Sequence, residues 1–212
     1  MLAIRTPPGD AVFGIRPSPP PGIDVRTAVA TLGPRGTDSV HEARKYFSEV
    51  VTLPTVPEVM DYAEQESVLA LVPAGHLTVS DNILRDSWVN LHFRFQGRMS
   101  MVGLWESPTK KMCAAVNVDR AGAASEVRSV ALHPATAAFA QKIFPADVEL
   151  RFCDSKPIAV RLAEEGRVDA CIGSLDVVQR AAGLRPVEEF EPTMIWCLYS
   201  GLGHIRNPDA DS

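Results

Sequence analysis

Short apolar segments alternating with amphipathic helical segments constrain the fold of this chain more than any other feature. From "RTAVATLG" onward, strand and helix signals follow one another in units of about 20–25 residues, the pattern of an α/β protein. The run "SVLALVPAG" is apolar throughout, as expected for a central parallel strand covered on both faces. With this many short units, the economical architecture is two α/β lobes with a ligand between them.

Several segments carry more detailed predictions. "SVHEARKYF" is predicted to be an amphipathic helix, and "KPIAVRLAEEG" a helix that ends at Gly166. "PATAAFAQKIF" is predicted to be an Ala-rich helix that opens with proline, and "MIWCLYSGL" a last hydrophobic strand followed by a polar tail. "WVNLHFRFQGRMSMVGLWE" alternates apolar and polar residues, which predicts a long strand or two strands joined by a bend.

Composition and charge narrow the range of partners. The 212 residues carry a net charge of −5 with the two signs well mixed, which argues against nucleic acid as a partner. "SVLALVPAGHLTV" is too short and interrupted to span a bilayer, and the N-terminus has no apolar signal core. The four single cysteines have no CxxC spacing and are predicted to be reduced, buried thiols: Cys113, Cys153, Cys171 and Cys197. We therefore expect a cytoplasmic protein with no membrane association.

The junction "GPRGTDS" lies where a strand ends and a helix begins. Glycines 33 and 36 permit a tight backbone, and Thr37 and Ser39 supply hydroxyls where free N–H groups collect. Such a junction favours a carboxylate or a phosphate, because ligands in α/β sheets sit at the carboxyl ends of strands. A plain helix N-cap with a turn glycine accounts for the pattern equally well. No P-loop or GxGxxG motif is present, so no nucleotide cofactor is predicted.

Two further junctions are candidates for a ligand site. His133 stands just before the proline of "LHPATAA", where it is either a capping and packing residue or a catalyst. Ser155 and Lys156 open the helix of "CDSKPIA". Because the helix dipole disfavours a lysine there by some 0.3–1 kcal/mol, Lys156 is either an ordinary surface residue or kept for an anion.

Taken in order, these junctions resemble the catalytic domain of prephenate dehydratases over roughly residues 28–200. The likeness rests on a "GPxGTxS" loop, on the start of "VPIENS", on "SHP" and on a serine before a helix. The matching residues are Gly33, Pro34, Gly36, Thr37, Ser39, Val72, Pro73, His133, Pro134 and Ser155. The resemblance implies a two-lobed α/β fold like the type II periplasmic binding proteins. The lobes would comprise residues 27–102 with 185–212 and residues 103–184, after a Pro-rich extension at 1–26.

The departures from the dehydratase pattern bear on the reaction. Ile195, Trp196 and Cys197 fall where the family has "TRF", and the "ENS" of the family is replaced by Gly75, His76 and Leu77. Lys156 stands where threonine is usual. An apolar wall lacking the proton donor would let the substrate hydroxyl be retained, and the chain is in this respect similar to non-aromatising prephenate decarboxylases of the bacilysin type.

The resemblance therefore implies decarboxylation of prephenate without metal or organic cofactor. It implies that Gly36, Thr37 and Ser39 bind one carboxylate, and that Ser155 and Lys156 hold the pyruvyl end. His76 and His133 are the candidates for binding or protonating the ring. Two alternatives stay open: a dehydratase whose donor has moved, for instance to Thr193, and a non-catalytic module that binds small carboxylates. The sequence leaves the oligomeric state open, with a homodimer as one option.

Overall fold

The computed structural model describes residues 26–80 and 83–201. The predicted Pro-rich extension, apart from Arg26, and the predicted polar tail lie outside these ranges. The strands are β1 (Val29–Leu32), β2 (Val50–Leu53), β3 (Leu69–Pro73), β4 (Leu77–Ser80), β5 (Ile83–Ser87), β6 (Met99–Pro108), β7 (Met112–Asn117), β8 (Ser129–Leu132), β9 (Glu149–Phe152), β10 (Ala170–Ser174), β11 (Leu184–Phe190) and β12 (Thr193–Gly201). The helices are α1 (Asp38–Tyr46), α2 (Val56–Gln65), α3 (Trp88–Arg94), α4 (Ala137–Ile143), α5 (Lys156–Glu164) and α6 (Leu175–Val178), with 3-10 turns at Ala124–Glu126 and Pro134–Thr136.

The strands form two five-stranded sheets, one in each lobe. The first has the order β2-β1-β3-β12-β6 and the second β11-β7-β10-β8-β9, while β4 and β5 form a separate hairpin. Strand β3 is parallel to β1 and lies at the centre of its sheet, as predicted for "SVLALVPAG". Strand β12 runs antiparallel to β3 and β6, so the end of the described chain returns to the first lobe.

The chain passes between the lobes twice, at residues 109–111 and 191–192. The first sheet runs to Pro108 and the second to Phe190, both beyond the lobe boundaries expected at residues 102 and 184. The two crossing segments lie side by side, because the Thr109 N–H donates to the Pro192 carbonyl at 3.0 Å. They thus form a common connection on which the two lobes meet.

The first sheet is covered on both faces by apolar side chains. One face packs against α2 and α3, with Met60, Leu91 and Tyr199 among the buried residues. The other face packs against α1 and includes Trp105 and Trp196. Such two-sided burial explains why the central strands read as continuous apolar runs.

A charged group is buried within the α1 face. The Glu42 side chain is 1% exposed and accepts hydrogen bonds from Trp105 Nε1 at 2.7 Å, Ser107 Oγ at 2.8 Å and Lys45 Nζ at 2.6 Å. A buried carboxylate is tolerated where donors satisfy it in this way. The network ties α1 to the end of β6, next to the first crossing segment.

The second sheet carries the remaining predicted elements. Helix α5 begins at Lys156, and Gly166, with φ of +69°, follows its end in the left-handed conformation, as the sequence predicted. The Ala-rich segment begins with the 3-10 turn at Pro134 and becomes α-helical at Ala137.

The cysteines are buried and free, as predicted: Cys113, Cys153, Cys171 and Cys197. Across the described ranges, none of the helices combines the length and apolar character needed to cross a bilayer.

The prediction for "WVNLHFRFQGRMSMVGLWE" was half wrong. Its first part is helix α3, in which Trp88, Leu91 and Phe95 recur at helical spacing and pack into the first core. The hydroxyl of Ser87 caps this helix by accepting the Asn90 N–H at 3.3 Å. Only the second part is the strand β6. The sequence reading also missed the β4–β5 hairpin and the edge strand β11.

Candidate active site

The loop between β1 and α1 is held by the side chain of Thr37. Its hydroxyl donates to the Leu32 carbonyl at 3.0 Å and accepts the Val40 N–H at 3.3 Å, so it acts as the N-cap of α1. Gly36 has φ of +96°, a conformation that favours glycine. Ser39 is buried, at 4% exposure. The capping alternative therefore accounts for the Thr37 side chain, while the first N–H groups of the helix still point out of its start.

An ion pair joins this loop to the second lobe. Lys156 Nζ lies 2.8 Å from Asp38 Oδ2, and the two side chains are 22% and 20% exposed. Lys110, from the first crossing segment, donates its Nζ to the Gly36 carbonyl at 3.0 Å and its backbone N–H to Asp38 Oδ1 at 3.4 Å. We call Asp38, Lys110 and Lys156 the charged end of the cleft.

Sequence reasoning passed over Asp38, although it lies between two predicted site residues. An aspartate in the first turn of a helix is common, because the helix dipole favours it there. Its ion-pair partner Lys156 is 118 residues away in the chain, so no local sequence pattern indicates that the two side chains pair. Ser155 is the N-cap residue of α5 without a capping bond from its side chain, and it lies directly before Lys156.

His133 follows β8 and caps the 3-10 turn at Pro134, where the charges of Lys156 and His76 act on its ring. Its Nδ1 accepts the Ala135 N–H at 3.2 Å, which places the proton of the neutral ring on Nε2. Burial, reinforced by the positive charge of Lys156 and by His76, lowers the pKa of His133 to about 4. His133 is therefore neutral at pH 7 and offers Nε2–H as a hydrogen-bond donor.

His76 follows β3 at the tight turn that leads into β4. Its backbone N–H donates to the Pro73 carbonyl at 3.1 Å, and its carbonyl accepts the Trp88 N–H at 2.9 Å. Burial lowers the pKa of His76, with Arg94 acting in the same direction and Asp86 opposing it. The His76 Nε2 atom is buried and has no hydrogen-bond partner among the described residues.

An apolar contact closes the cleft beside the histidines. A Cβ atom on Gly75 would lie 3.0 Å from Met194 Cε and 3.7 Å from the Cβ of Ala135, so the lobes approach closely here. We call His76, His133, Gly75, Met194 and Ala135 the histidine end of the cleft.

The apolar wall is formed by a different residue from those expected. Trp196 and Cys197 are 1% and 0% exposed and pack on opposite faces of the first sheet. Trp196 and Cys197, which stand where the dehydratases have the arginine and phenylalanine of "TRF", thus lie inside the core, whereas Ile195, at the threonine position, is 42% exposed. Met194, two residues before Trp196 and on the same strand face, is the side chain that reaches Gly75.

Two surface depressions lie away from the histidine end, and one of them includes Lys110 of the charged end. One, of about 290 Å³, is lined by second-lobe residues such as Gln141 and Pro145; the other, of about 350 Å³, is lined by Lys110, Lys111 and Asp176 among others. Neither is lined by His76 or His133. Across the ranges that the structure describes, no group of three or more His, Cys, Asp or Glu side chains is arranged to hold a metal ion.

Comparison with solved structures identifies the fold. A prephenate dehydratase from Arthrobacter aurescens, in complex with L-Phe, has a TM-score of 0.51 at 14% identity and matches 82% of this chain. A putative periplasmic sulfonate-binding protein, SsuA, from Methylobacillus flagellatus has a TM-score of 0.50 at 11% identity and matches 84% of it. The chain spans 59% and 61% of the lengths of these two proteins.

The fold is therefore the two-lobed, type II periplasmic-binding-protein-like α/β fold, which confirms the predicted fold class. The matched part of the Arthrobacter prephenate dehydratase shares this fold. No protein-family model matches the sequence, and no curated protein matches it either.

Proposed function

We propose that this protein is a carboxy-lyase that decarboxylates prephenate without aromatising the ring. The product would be a dihydro-4-hydroxyphenylpyruvate, used in the biosynthesis of an antibiotic or a non-proteinogenic amino acid. Support comes from the resemblance of the junctions to prephenate dehydratases and from a fold shared with them. We further propose a cytoplasmic location, a small-molecule substrate and no requirement for a cofactor.

The proposed reaction and its alternative differ in where one proton goes. In the decarboxylation, the bond to the ring carboxylate breaks, carbon dioxide leaves, and its electron pair moves into the diene, where a ring carbon takes up a proton. In the dehydratase reaction, the proton goes to the ring hydroxyl, which leaves as water. Hydroxide is a poor leaving group, so the second route needs a positioned acid, worth about 10²–10⁴-fold in rate.

The main support for the proposal is that the histidine end combines a neutral imidazole with an apolar wall. His133, with a pKa of about 4, is neutral at pH 7, and the adjacent wall is Met194. A neutral imidazole binds a hydroxyl or a carboxylate by hydrogen bonding but is a poor acid toward hydroxide. The electron pair that decarboxylation releases into the diene is a far stronger base than the ring hydroxyl, so a neutral ring of His133 or His76 would suffice to assist protonation of the ring carbon.

The remaining predicted residues take binding roles in this proposal. Lys156, with Ser155 beside it, would hold the pyruvyl end of the substrate. Thr37 and Gly36 shape the loop, and Ser39 lies in the first turn of α1, so the backbone N–H groups there would bind the second carboxylate.

The test is incubation of the purified protein with prephenate, with the product followed by mass spectrometry and NMR. Loss of carbon dioxide with retention of the hydroxyl is the expected result. Unchanged prephenate would contradict enzymatic function, and binding without turnover would favour a non-catalytic module. Formation of phenylpyruvate would instead establish the dehydratase alternative.

A further inference from the structure

The ion pair between Asp38 and Lys156 links two helix starts that belong to different lobes. Asp38 begins α1 in the first lobe, Lys156 begins α5 in the second, and their charged atoms lie 2.8 Å apart. Both side chains are about four-fifths buried. A contact of this kind stabilises the arrangement in which the lobes are closed on each other.

The positive charge of Lys156 is already compensated by Asp38. A cation at a helix N-terminus is disfavoured by the dipole, and the carboxylate of Asp38 offsets that cost. Lys156 Nζ also lies 3.9 Å from the sulfur of Met112, which is a weak acceptor. A ligand carboxylate that binds Lys156 must therefore displace Asp38 or share the Lys156 ammonium with it.

The carboxylate of Asp38 is held in position from its own side. Its Oδ1 accepts the Lys110 N–H at 3.4 Å, and the Lys110 ammonium is fixed on the Gly36 carbonyl at 3.0 Å. A tethered carboxylate competes at a high effective concentration, in the millimolar range or above for short flexible tethers. Small free anions at lower concentrations are thus poor competitors for Lys156.

We propose that Asp38 is an internal competitor for anions at Lys156 and that the ion pair holds the lobes closed in the ligand-free protein. The competitor role rests on the proposed function, because it presumes an anionic ligand at Lys156. The closing role does not. A ligand then binds only if its combined contacts exceed those of the ion pair, which makes Asp38 a specificity-determining residue.

The closing role is tested without ligand, by small-angle X-ray scattering. Asp38→Asn and Lys156→Gln each remove the ion pair, and Asn keeps an acceptor for the Lys110 N–H. Both variants are expected to increase the radius of gyration, whereas the charge exchange Asp38→Lys with Lys156→Asp should restore the wild-type value. Arg180→Gln is the matched control, because it removes an ion pair with Asp176 at 3.3 Å inside the second lobe.

A folded Asp38→Asn protein with the wild-type radius of gyration would overturn the closing role, and circular dichroism establishes that each variant is folded. If Asp38→Asn does not fold, Lys156→Gln and the charge exchange decide the same question. An exchange variant that is as open as the single variants would also count against the ion pair.

The competitor role is tested by calorimetric titration with prephenate. Asp38→Asn should bind prephenate about three- to fivefold more tightly, the range of a partly exposed ion pair, because the free state no longer contains a bond that must be broken. In a Lys156→Gln background, Asp38→Asn should bring no gain. A Kd for Asp38→Asn equal to or weaker than wild type would overturn this role. If the wild-type protein neither binds nor converts prephenate, the proposed function fails, and the scattering result still decides the closing role.

Discussion

At the charged end of the cleft, the polar groups satisfy one another, whereas at the histidine end one ring nitrogen is left without a partner among the described residues. Asp38 is bonded to Lys156 and Lys110 within the protein. The His76 Nε2 atom, by contrast, is buried without a partner among the described residues. An unpaired buried polar atom costs on the order of 1–3 kcal/mol, which a ligand that bonds to it recovers.

This difference assigns distinct tasks to the two ends. A ligand gains hydrogen bonds at the histidine end without displacing any, but at the charged end it has to replace an existing ion pair. Binding energy is thus available where the proposed chemistry takes place, and selection among anions occurs where Lys156 is already paired. The predictions below test whether the ends are as different as their contacts indicate.

The largest effect is expected for His133→Gln at the histidine end. If His133 binds or protonates the ring, its loss should lower kcat for prephenate about 10²–10⁴-fold, while KM changes less. Steady-state kinetics with prephenate measures both. His41→Gln, at an exposed position on α1, is the matched control and should leave kcat unchanged. A His133→Gln enzyme as fast as this control would remove His133 from the reaction.

Next in size is the effect of Glu42→Ala, which removes the buried support of α1 behind the charged end. Trp105 Nε1 and Ser107 Oγ would lose their acceptor, and Lys45 would lose its carboxylate partner while keeping Ser107, so the free energy of unfolding should fall by about 2–4 kcal/mol. Urea denaturation measures this change. Glu64→Gln removes a partly exposed carboxylate that pairs with Arg98, and should change the stability by no more than about 0.5 kcal/mol. Equal effects of the two variants would show that the Glu42 network contributes little.

The histidine end should also make the stability depend on pH. An unfolded histidine titrates near pH 6.5, and the folded-state pKa of His133 is about 4, so between these values only the unfolded chain binds the proton. The contribution of the neutral His133 to the free energy of unfolding is therefore fully present above about pH 6.5. It is lost as the pH drops toward 4, by on the order of 2–3 kcal/mol. His76, whose pKa is also lowered, acts in the same direction.

Urea denaturation at several pH values checks this dependence, and His133→Gln should flatten part of it. A wild-type stability that is constant from pH 7 to pH 5, or that rises on acidification, would contradict the neutral state assigned to the two rings.

Much of the fold could be predicted because its signals are local. The apolar run of β3 and the glycine that follows α5 identify those elements from a few neighbouring residues. Helix α3 was missed because Trp88 to Phe95 alternates apolar and polar residues closely enough to resemble a strand. Its helical state depends on a cap at Ser87 and on packing of Leu91 into a core made by distant strands.

The site could be predicted only in part for the same reason. The three strand-to-helix junctions pointed to Thr37, His133 and Lys156, and the ion pair of Lys156 with Asp38, the residue after Thr37, brings the first and third junctions together. The pairing of Asp38 with Lys156 depends on how the lobes close, which no short segment of sequence contains. Strand periodicity likewise leaves open which residue of "TMIWCLYS" reaches the cleft, and the register with β3 places Trp196 opposite Pro73 inside the sheet.

The smallest effect is expected for Thr193→Val, one residue from the histidine end but on the other face of β12. Its hydroxyl bonds to the Glu106 carboxylate, whereas the neighbouring Met194 points toward Gly75. Because successive residues of a strand face opposite sides, Thr193 is not positioned to protonate a ligand that His76 and His133 contact. Thr193→Val should therefore leave product formation from prephenate unchanged and alter the stability by no more than about 0.5 kcal/mol. Analysis of the products of both proteins checks this expectation. If the wild type makes phenylpyruvate and Thr193→Val does not, Thr193 is the proton donor. In that case the neutral character assigned to the histidine end does not determine the reaction.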